Sequence, residues 1–416
     1  MTISNWAGNL TFTPPDLLRP RSVNEVRALV AGAPRVHALG AGHSFSPVAD
    51  SPGALITLDG LPHEIEIDSG RATVRVGAGV RYAELTAHLE AHGLALANLA
   101  SLPHITVAGA VATGTHGSGS RNGSLATSVT GIEMVTATGD LVTIGPDEIS
   151  GAVVALGALG VVTSLTLALV PSFTVRQWVY DNLPRESLDA HFDEIFASAY
   201  SVSVFTTWRD PANLDHAWLK HRADDGWTPP DRWHGAVPAD GERNPVPGAP
   251  PAYTTPQGGA EGSWNERLPH FRAEFTPSFG DELQTEYLLP RGHAVAALAA
   301  LNDLAPRIAE LLMVCEIRTV AADELWLSPC YGRDTVAFHF TWHKDQAAVE
   351  ALLPALEERL APFDPRPHWG KVFTLPPARV RAGYPRLPDF RQLMTSQDPS
   401  GKFLNPFIRT IIDNQE

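Results

Sequence analysis

Cysteine is nearly missing from this 416-residue chain, which carries only Cys315 and Cys330. Two thiols build neither a disulfide framework nor a four-thiolate metal site, and they suit a reducing cytoplasm. Positive charge is also short: 31 Lys and Arg stand against 46 Asp and Glu, a formal net charge of −15. Such a surface repels phosphate backbones and anionic bilayers, so a small neutral substrate is expected, with no nucleic-acid or membrane partner. No apolar run is long enough to span a bilayer, and residues 1–18 lack a basic start followed by an apolar stretch. The chain is therefore expected to be soluble and unexported. No G-x-S-x-G elbow occurs, which removes the usual setting of a serine hydrolase. The 16 histidines contain no H-E-x-x-H, and no metal is expected.

What is present suggests an α+β chain of roughly two to three domains. Ser22 with Glu25 forms a capping box ahead of Val23, Val26, Leu29 and Val30, which predicts a short helix. Residues 35–39 then read as a strand running into Gly40-Ala41-Gly42-His43-Ser44. A second unit follows: a strand at 72–76, a break at Gly77 and Gly79, and a helix bearing Tyr82, Leu85 and Leu89 that ends at Gly93. Glycines at 109, 114, 117 and 119 interrupt anything regular between Ser101 and Asn122, whereas 133–142 and 161–170 read as strands. Composition shifts beyond Pro171. A helix carrying Leu188, Phe192, Ile195 and Phe196 leads to a strand at 202–208, and 226–259 is too rich in Pro and Gly to be regular. Further on, the pattern predicts helices at 295–312 and 346–360 and strands at 313–320, 334–342 and 369–375. This half reads as an antiparallel sheet with helices on one face.

Three places carry candidate chemistry. In Gly40-Ala41-Gly42-His43-Ser44 the glycines allow close backbone approach, so successive N–H groups can converge on an anion; a plain tight turn is the simpler account of this pair by itself. It is not the dinucleotide fingerprint, because Phe45 stands where a third glycine is required. The run Val107 to Gly119 joins small side chains with hydroxyls over a length that suits an extended ligand, or equally a tightly packed buried loop. The third place is a set of strands. Glu316 and Arg318 leave one face of their strand together, His339 and Thr341 oppose Phe338, Phe340 and Trp342 on the next, and Lys371 lies on a third. A solvated face is the plain alternative. A polar face over an apolar reverse otherwise suits a ligand with several hydroxyls, with a charged group placed to orient or deprotonate an alcohol.

With those motifs, and with Gly157-Ala158-Leu159-Gly160-Val161-Val162 and Asp398-Pro399-Ser400-Gly401-Lys402-Phe403-Leu404-Asn405, nearly the whole chain resembles the vanillyl-alcohol oxidase family of FAD enzymes. Within it the pattern is most similar to the alditol oxidases, also called xylitol or sorbitol oxidases. The resemblance implies an FAD-binding domain over 1–172 completed by 376–416, and a cap or substrate domain over 173–375 with an antiparallel sheet flanked by helices. It implies FAD linked covalently to His43, with Ala38, Leu39, Gly40, Ala41, Gly42 and Ser44 at the pyrophosphate. Ser101, Thr106, Gly109, Thr113, Gly114, Thr115, His116 and Val162 would follow the rest of the cofactor.

The same resemblance implies a polyol site of Ser101, Glu316, Arg318, Thr341 and Lys371, with Arg318, His339 and Lys371 nearest the chemistry. Ala100 corresponds to the small residue beside the carbon where dioxygen reacts. The implied reaction is hydride transfer from the terminal carbinol of a polyol to FAD, giving an aldose, with dioxygen reduced to hydrogen peroxide by a monomeric enzyme. A sugar-lactone oxidase or dehydrogenase shares the FAD motifs and is the nearest rival. A flavoprotein that binds carbohydrate without turning it over is the rival of another class.

Overall fold

The computed structural model describes residues 2–275 and 280–413. At the amino end, strand β1 (Leu17–Leu18) precedes helix α1 (Val23–Gly32) and strands β2 (Val36–Leu39) and β3 (Ala54–Thr57). The three strands pair in parallel in the order β1-β3-β2. Helix α1 begins with one half of its capping box: Ser22 Oγ accepts the Glu25 N–H at 3.2 Å, while the Glu25 carboxylate accepts from Arg21 N–H at 2.8 Å, and Val26 and Val30 are buried.

Next come β4 (Ile65–Asp68), β5 (Thr73–Gly77), α2 (Tyr82–Ala91), α3 (Val107–Ala112), β6 (Val129–Val135), β7 (Leu141–Ile144) and β8 (Val161–Ala168). The five strands form an antiparallel sheet in the order β4-β5-β8-β6-β7. Two expectations are corrected here. The single strand expected over 133–142 is a hairpin, because Gly139 takes φ +86° and turns the chain between β6 and β7. The glycine-interrupted stretch after Ser101 contains α3. Gly109 is accepted inside that helix where a side chain has no room: a Cβ there would stand 2.8 Å from Thr106 Oγ1.

The rest of the chain supplies β9 (Thr174–Pro184), α4 (Arg185–Ala197), β10 (Ser201–Thr206), β11 (Asn213–Arg222), β12 (Glu282–Pro290), α5 (Ala294–Asn302), α6 (Ala305–Leu311), β13 (Leu312–Val320), β14 (Thr335–His343), α7 (Gln346–Leu360), β15 (Arg366–Pro367) and α8 (Leu387–Gln397). Strands β9 to β15 build an antiparallel sheet ordered β9-β11-β10-β13-β14-β12-β15, with short strands at 237–238 and 262–263 added along β9. The helix expected over 295–312 is two, broken between Asn302 and Ala305. On the helix-covered face Ile317, Phe338, Phe340 and Trp342 are wholly buried in one cluster with Leu298, Leu301, Ile308 and Leu353. Burying each such side chain contributes about 1.5–3 kcal/mol, which holds β13 and β14 rigid and leaves their other face available for a site.

No strand covers 369–375. Pairing with β12 stops at Arg366–Pro367, and the chain then crosses the edge of the sheet as a loop whose backbone bonds point in two directions. His368 and Val372 N–H donate to Glu286 O and Gln284 O at 3.0 and 2.9 Å. Gly370 O accepts instead from Phe45 N–H, at 2.7 Å, beside the first glycine loop. The carboxyl-terminal motif also returns there. Asn405 Nδ2 lies 2.9 Å from both Val48 O and Asp50 O, and Val36 N–H donates to Lys402 O at 3.1 Å.

Candidate active site

A cavity of about 550 Å³ opens between the amino-terminal sheets and the polar face of the large sheet. One end is built from backbone and small side chains. The two glycine segments meet there, since a Cβ on Gly40 would fall 2.5 Å from Thr106 Oγ1 and one on Gly109 would lie 3.8 Å from Gly40 Cα. Gly42 takes φ +71°, and its carbonyl accepts from Trp6 N–H at 2.8 Å. Trp6 then stacks on His43, rings 4.8 Å apart and 16° from parallel. Burial, reinforced by His104, Arg81 and Lys371, pulls the His43 imidazole down to about 4, so the ring is neutral near pH 7.

All the residues expected at the cofactor line this cavity except Gly114: Ala38 to Ser44, Ser101, Thr106, Gly109, Thr113, Thr115, His116 and Val162, with Ala100 beside them. Gly114 stands off the cavity wall in a turn next to Thr113, at φ +69°, with Pro329 Cδ 3.3 Å from where its Cβ would be. The space fits FAD on two observations of the protein itself. His43 Nδ1 and Thr106 Oγ1 are buried polar atoms without a hydrogen-bond partner among the described residues, and both belong to residues that line the cavity. Groups of that kind are expected where a polar ligand completes the bonding. The glycine-lined wall likewise lets backbone N–H groups reach an anion.

The other end is polar and charged. Strand register sets Glu316 of β13 directly opposite His339 of β14, with Thr341 opposite Val314 and Arg318 opposite Ala337. Glu316, Arg318, His339, Thr341 and Lys371 all line the cavity, and Arg318 Nη1 reaches across to Ser101 Oγ at 3.3 Å. Lys371 arrives from the loop rather than a strand. Its Nζ bonds Gln284 Oε1 and lies 5.4 Å from the centre of the Phe45 ring.

Strand β12 adds residues that the motifs did not single out. Gln284 and Glu286 stand opposite Thr341 and His339 and face the same cavity. Glu286 Oε1 accepts from Arg318 Nη2 at 2.9 Å and lies 3.1 Å from His116 Nε2. Burial pushes this carboxyl up, but His116, His339 and Arg318 outweigh it and hold Glu286 well below its ordinary range. Glu316 is held down in the same way by Arg318, His270 and His339. Burial lowers His339 and Lys371. His339 Nε2 lies 3.0 Å from Gln284 Oε1, an acceptor, which places the ring proton on Nε2 and leaves Nδ1 as a base. The period-two spacing of Glu282, Gln284 and Glu286 was a readable strand signal; His270, from a segment without regular pattern, carried none.

Comparisons with known proteins match both halves of the chain. An FAD-binding domain model matches residues 14–145, and a D-arabinono-1,4-lactone oxidase model matches residues 280–411. An alditol oxidase from a Streptomyces species is 54% identical over 99% of both chains. An L-gulono-1,4-lactone dehydrogenase from Mycobacterium tuberculosis is 29% identical over 98% of both. Among solved structures, cholesterol oxidase from B. sterolicum superposes with a TM-score of 0.79 at 16% identity, covering 99% of this chain and 96% of its own, a likeness of fold. Full-length similarity to the Streptomyces enzyme, with an FAD-binding module ahead of a helix-backed antiparallel sheet, shows that the chain belongs to the vanillyl-alcohol oxidase family of FAD-binding flavoproteins.

Proposed function

We propose that this protein is an FAD-dependent alditol oxidase that converts the terminal primary alcohol of polyols such as xylitol and sorbitol to the aldose, with dioxygen reduced to hydrogen peroxide. The observation that carries the reading is the convergence of Glu316, Arg318, His339, Thr341 and Lys371 on one cavity, facing Ser101 across it. Residues 1–172 and 376–416 hold FAD in this reading, and 173–375 form the cap. When bound, FAD would supply the two-electron acceptor for the alcohol, with dioxygen as the final oxidant.

The side chains supply binding and proton handling. The guanidinium of Arg318, fixed by Glu286 and Ser101, donates to the reacting hydroxyl. His339 Nδ1 accepts that hydroxyl's proton, since the neighbouring Nε2–H is spent on Gln284. Glu316 and Ser101 take the adjoining hydroxyls, Thr341 completes the wall, and Lys371 places positive charge at the flavin edge. His43, neutral and with Nδ1 unpartnered, is the residue we assign to covalent FAD attachment. Ala100 leaves room beside the cofactor for dioxygen. The enzyme is read as a cytoplasmic monomer with no nucleic-acid or membrane partner, in keeping with its charge of −15 and the free buried thiols Cys315 and Cys330.

A second reading, a sugar-lactone oxidase or dehydrogenase, is favoured by the D-arabinono-1,4-lactone oxidase match over the strands that carry the site. Peroxide release measured with xylitol, sorbitol and a sugar lactone separates the two. Turnover of the polyols is expected; turnover of the lactone only would replace the first reading with the second.

A further inference from the structure

Glu316 is tied to two residues that the proposed reaction does not use: His270, which itself lines the cavity, and Lys220, which does not. Its Oε1 lies 2.8 Å from His270 Nε2, and Nδ1 of the same ring lies 3.1 Å from Lys220 Nζ. Lys220 sits on β11, separated from Glu316 by strand β10, and is 1% exposed. Its other Nζ neighbours are Leu268 O at 2.5 Å and Pro269 O at 3.1 Å. Three acceptors around one nitrogen match the three donors of an ammonium, whereas a neutral amine has two. An ammonium has no lone pair, so His270 Nδ1 accepts, and a neutral ring then carries its proton on Nε2, aimed at Glu316. The ring is neutral because burial, followed by the charge of Lys220, pulls it to about 4.

We propose that Lys220 and His270 are positioning residues: the buried ammonium fixes His270 as its Nε2–H tautomer, and that proton pins Glu316 Oε1 so that Oε2 faces the substrate as an acceptor. The inference rests on reading the cavity as a polyol site. Oε2 stands 3.6 Å from both Arg318 Nε and His339 Nδ1, which leaves it turned toward the reacting end. Were Lys220 to lose its proton, the amine would accept from His270 Nδ1–H. The bare Nε2 would then face the carboxylate, and Glu316 would have to turn away or take up a proton.

The groups around Lys220 set when this happens. Glu316 and Arg318 face it from β13, Arg267 from the turn at 264–267, and His270 from the loop that follows. Burial outweighs the pull of Glu316 and, with Arg318 and Arg267, brings the ammonium down to about 7. Beyond Arg318 lie Glu286 and His116, and beyond Glu316 lies His339. As pH rises through about 7 the ammonium is lost, so the KM for a polyol climbs with pH.

The test uses the flavin-loaded enzyme and the variants Lys220→Met, His270→Leu and His270→Gln. A glutamine amide offers an oxygen to Lys220 and an N–H to Glu316, and restores both links. Lys220→Met and His270→Leu are expected to raise the KM for xylitol about 10- to 100-fold with far less change in kcat. His270→Gln should stay within about threefold, and the rise of KM with pH should vanish in Lys220→Met. Nitrogen-15 histidine NMR, with the signal assigned by its loss in His270→Gln, should show His270 as the Nε2–H tautomer in the wild type. An Nδ1–H tautomer there, or an unchanged KM and pH profile in Lys220→Met, overturns the proposal. If the wild type turns over no polyol, the substrate reading falls and the tautomer still decides this one. If Lys220→Met does not fold, the contrast between His270→Leu and His270→Gln and the wild-type spectrum decide it.

Discussion

Replacing Glu286 by Gln removes one charge from the centre of the cavity wall while keeping the side chain's size. The carboxylate accepts from Arg318 Nη2 at 2.9 Å and lies 3.1 Å from His116, with all three side chains almost fully buried. Two unit charges about 4 Å apart attract by about 4 kcal/mol at an effective dielectric of roughly 20, and burial of the ions offsets part of that. Removing one partner of a buried pair typically costs about 3–5 kcal/mol. The amide oxygen still accepts from Arg318, so we expect about 2–3 kcal/mol for Glu286→Gln. At about 2 °C per kcal/mol this lowers the thermal midpoint by about 5 °C. The assay is thermal unfolding of the flavin-loaded enzyme at one scan rate, from neutral pH downward.

The sign of the pH effect follows from the direction of the shift. Glu286 titrates below its ordinary 4.5, so its contribution is complete above that value and is lost as pH falls through the lower, folded value. The gap between wild type and Glu286→Gln should therefore be widest at neutral pH and close in acid. In a double-mutant cycle with Arg318→Met, the pair should cost less than the sum of the single changes, because each single change leaves a buried partner uncompensated. A midpoint within about 1 °C of wild type at neutral pH, or strict additivity with Arg318→Met, would refute the reasoning.

Two further outcomes concern the cofactor end. With His43→Ala, yellow colour should leave the polypeptide on denaturation while the wild type keeps it; free FAD released from the wild type would remove the covalent assignment. Gly42→Val places a β-branched residue at φ +71°, a strain of about 1–3 kcal/mol, although its Cβ meets nothing nearer than 3.7 Å. Lower flavin content per protein, read by absorbance, is expected, and full incorporation would show that this turn does not need its left-handed backbone.

Much of the site was legible because its signals are local. A left-handed glycine, a side chain capping its own helix, and residues leaving one face at i and i+2 depend on neighbours in the chain, and Gly42, Ser22, Glu316 with Arg318, and His339 with Thr341 all kept those relations in the fold. Lys371 was misplaced for the opposite reason. Its segment alternates like a strand, yet its backbone groups are divided between β12 and the glycine loop more than 300 residues earlier in sequence, and no local pattern records that division.

By itself, then, the sequence determined the glycine turns that can approach an anion, the alternation that leaves one sheet face polar, and the charge that disfavours anionic partners. Tertiary structure decided which of these meet. Strand register put Glu316 opposite His339, an extra strand brought Gln284 and Glu286 beside them, and burial lowered Lys220 to about 7 and left His43 neutral. Pairing partners and desolvation depend on what other segments cover a residue, and that information is spread across the whole chain.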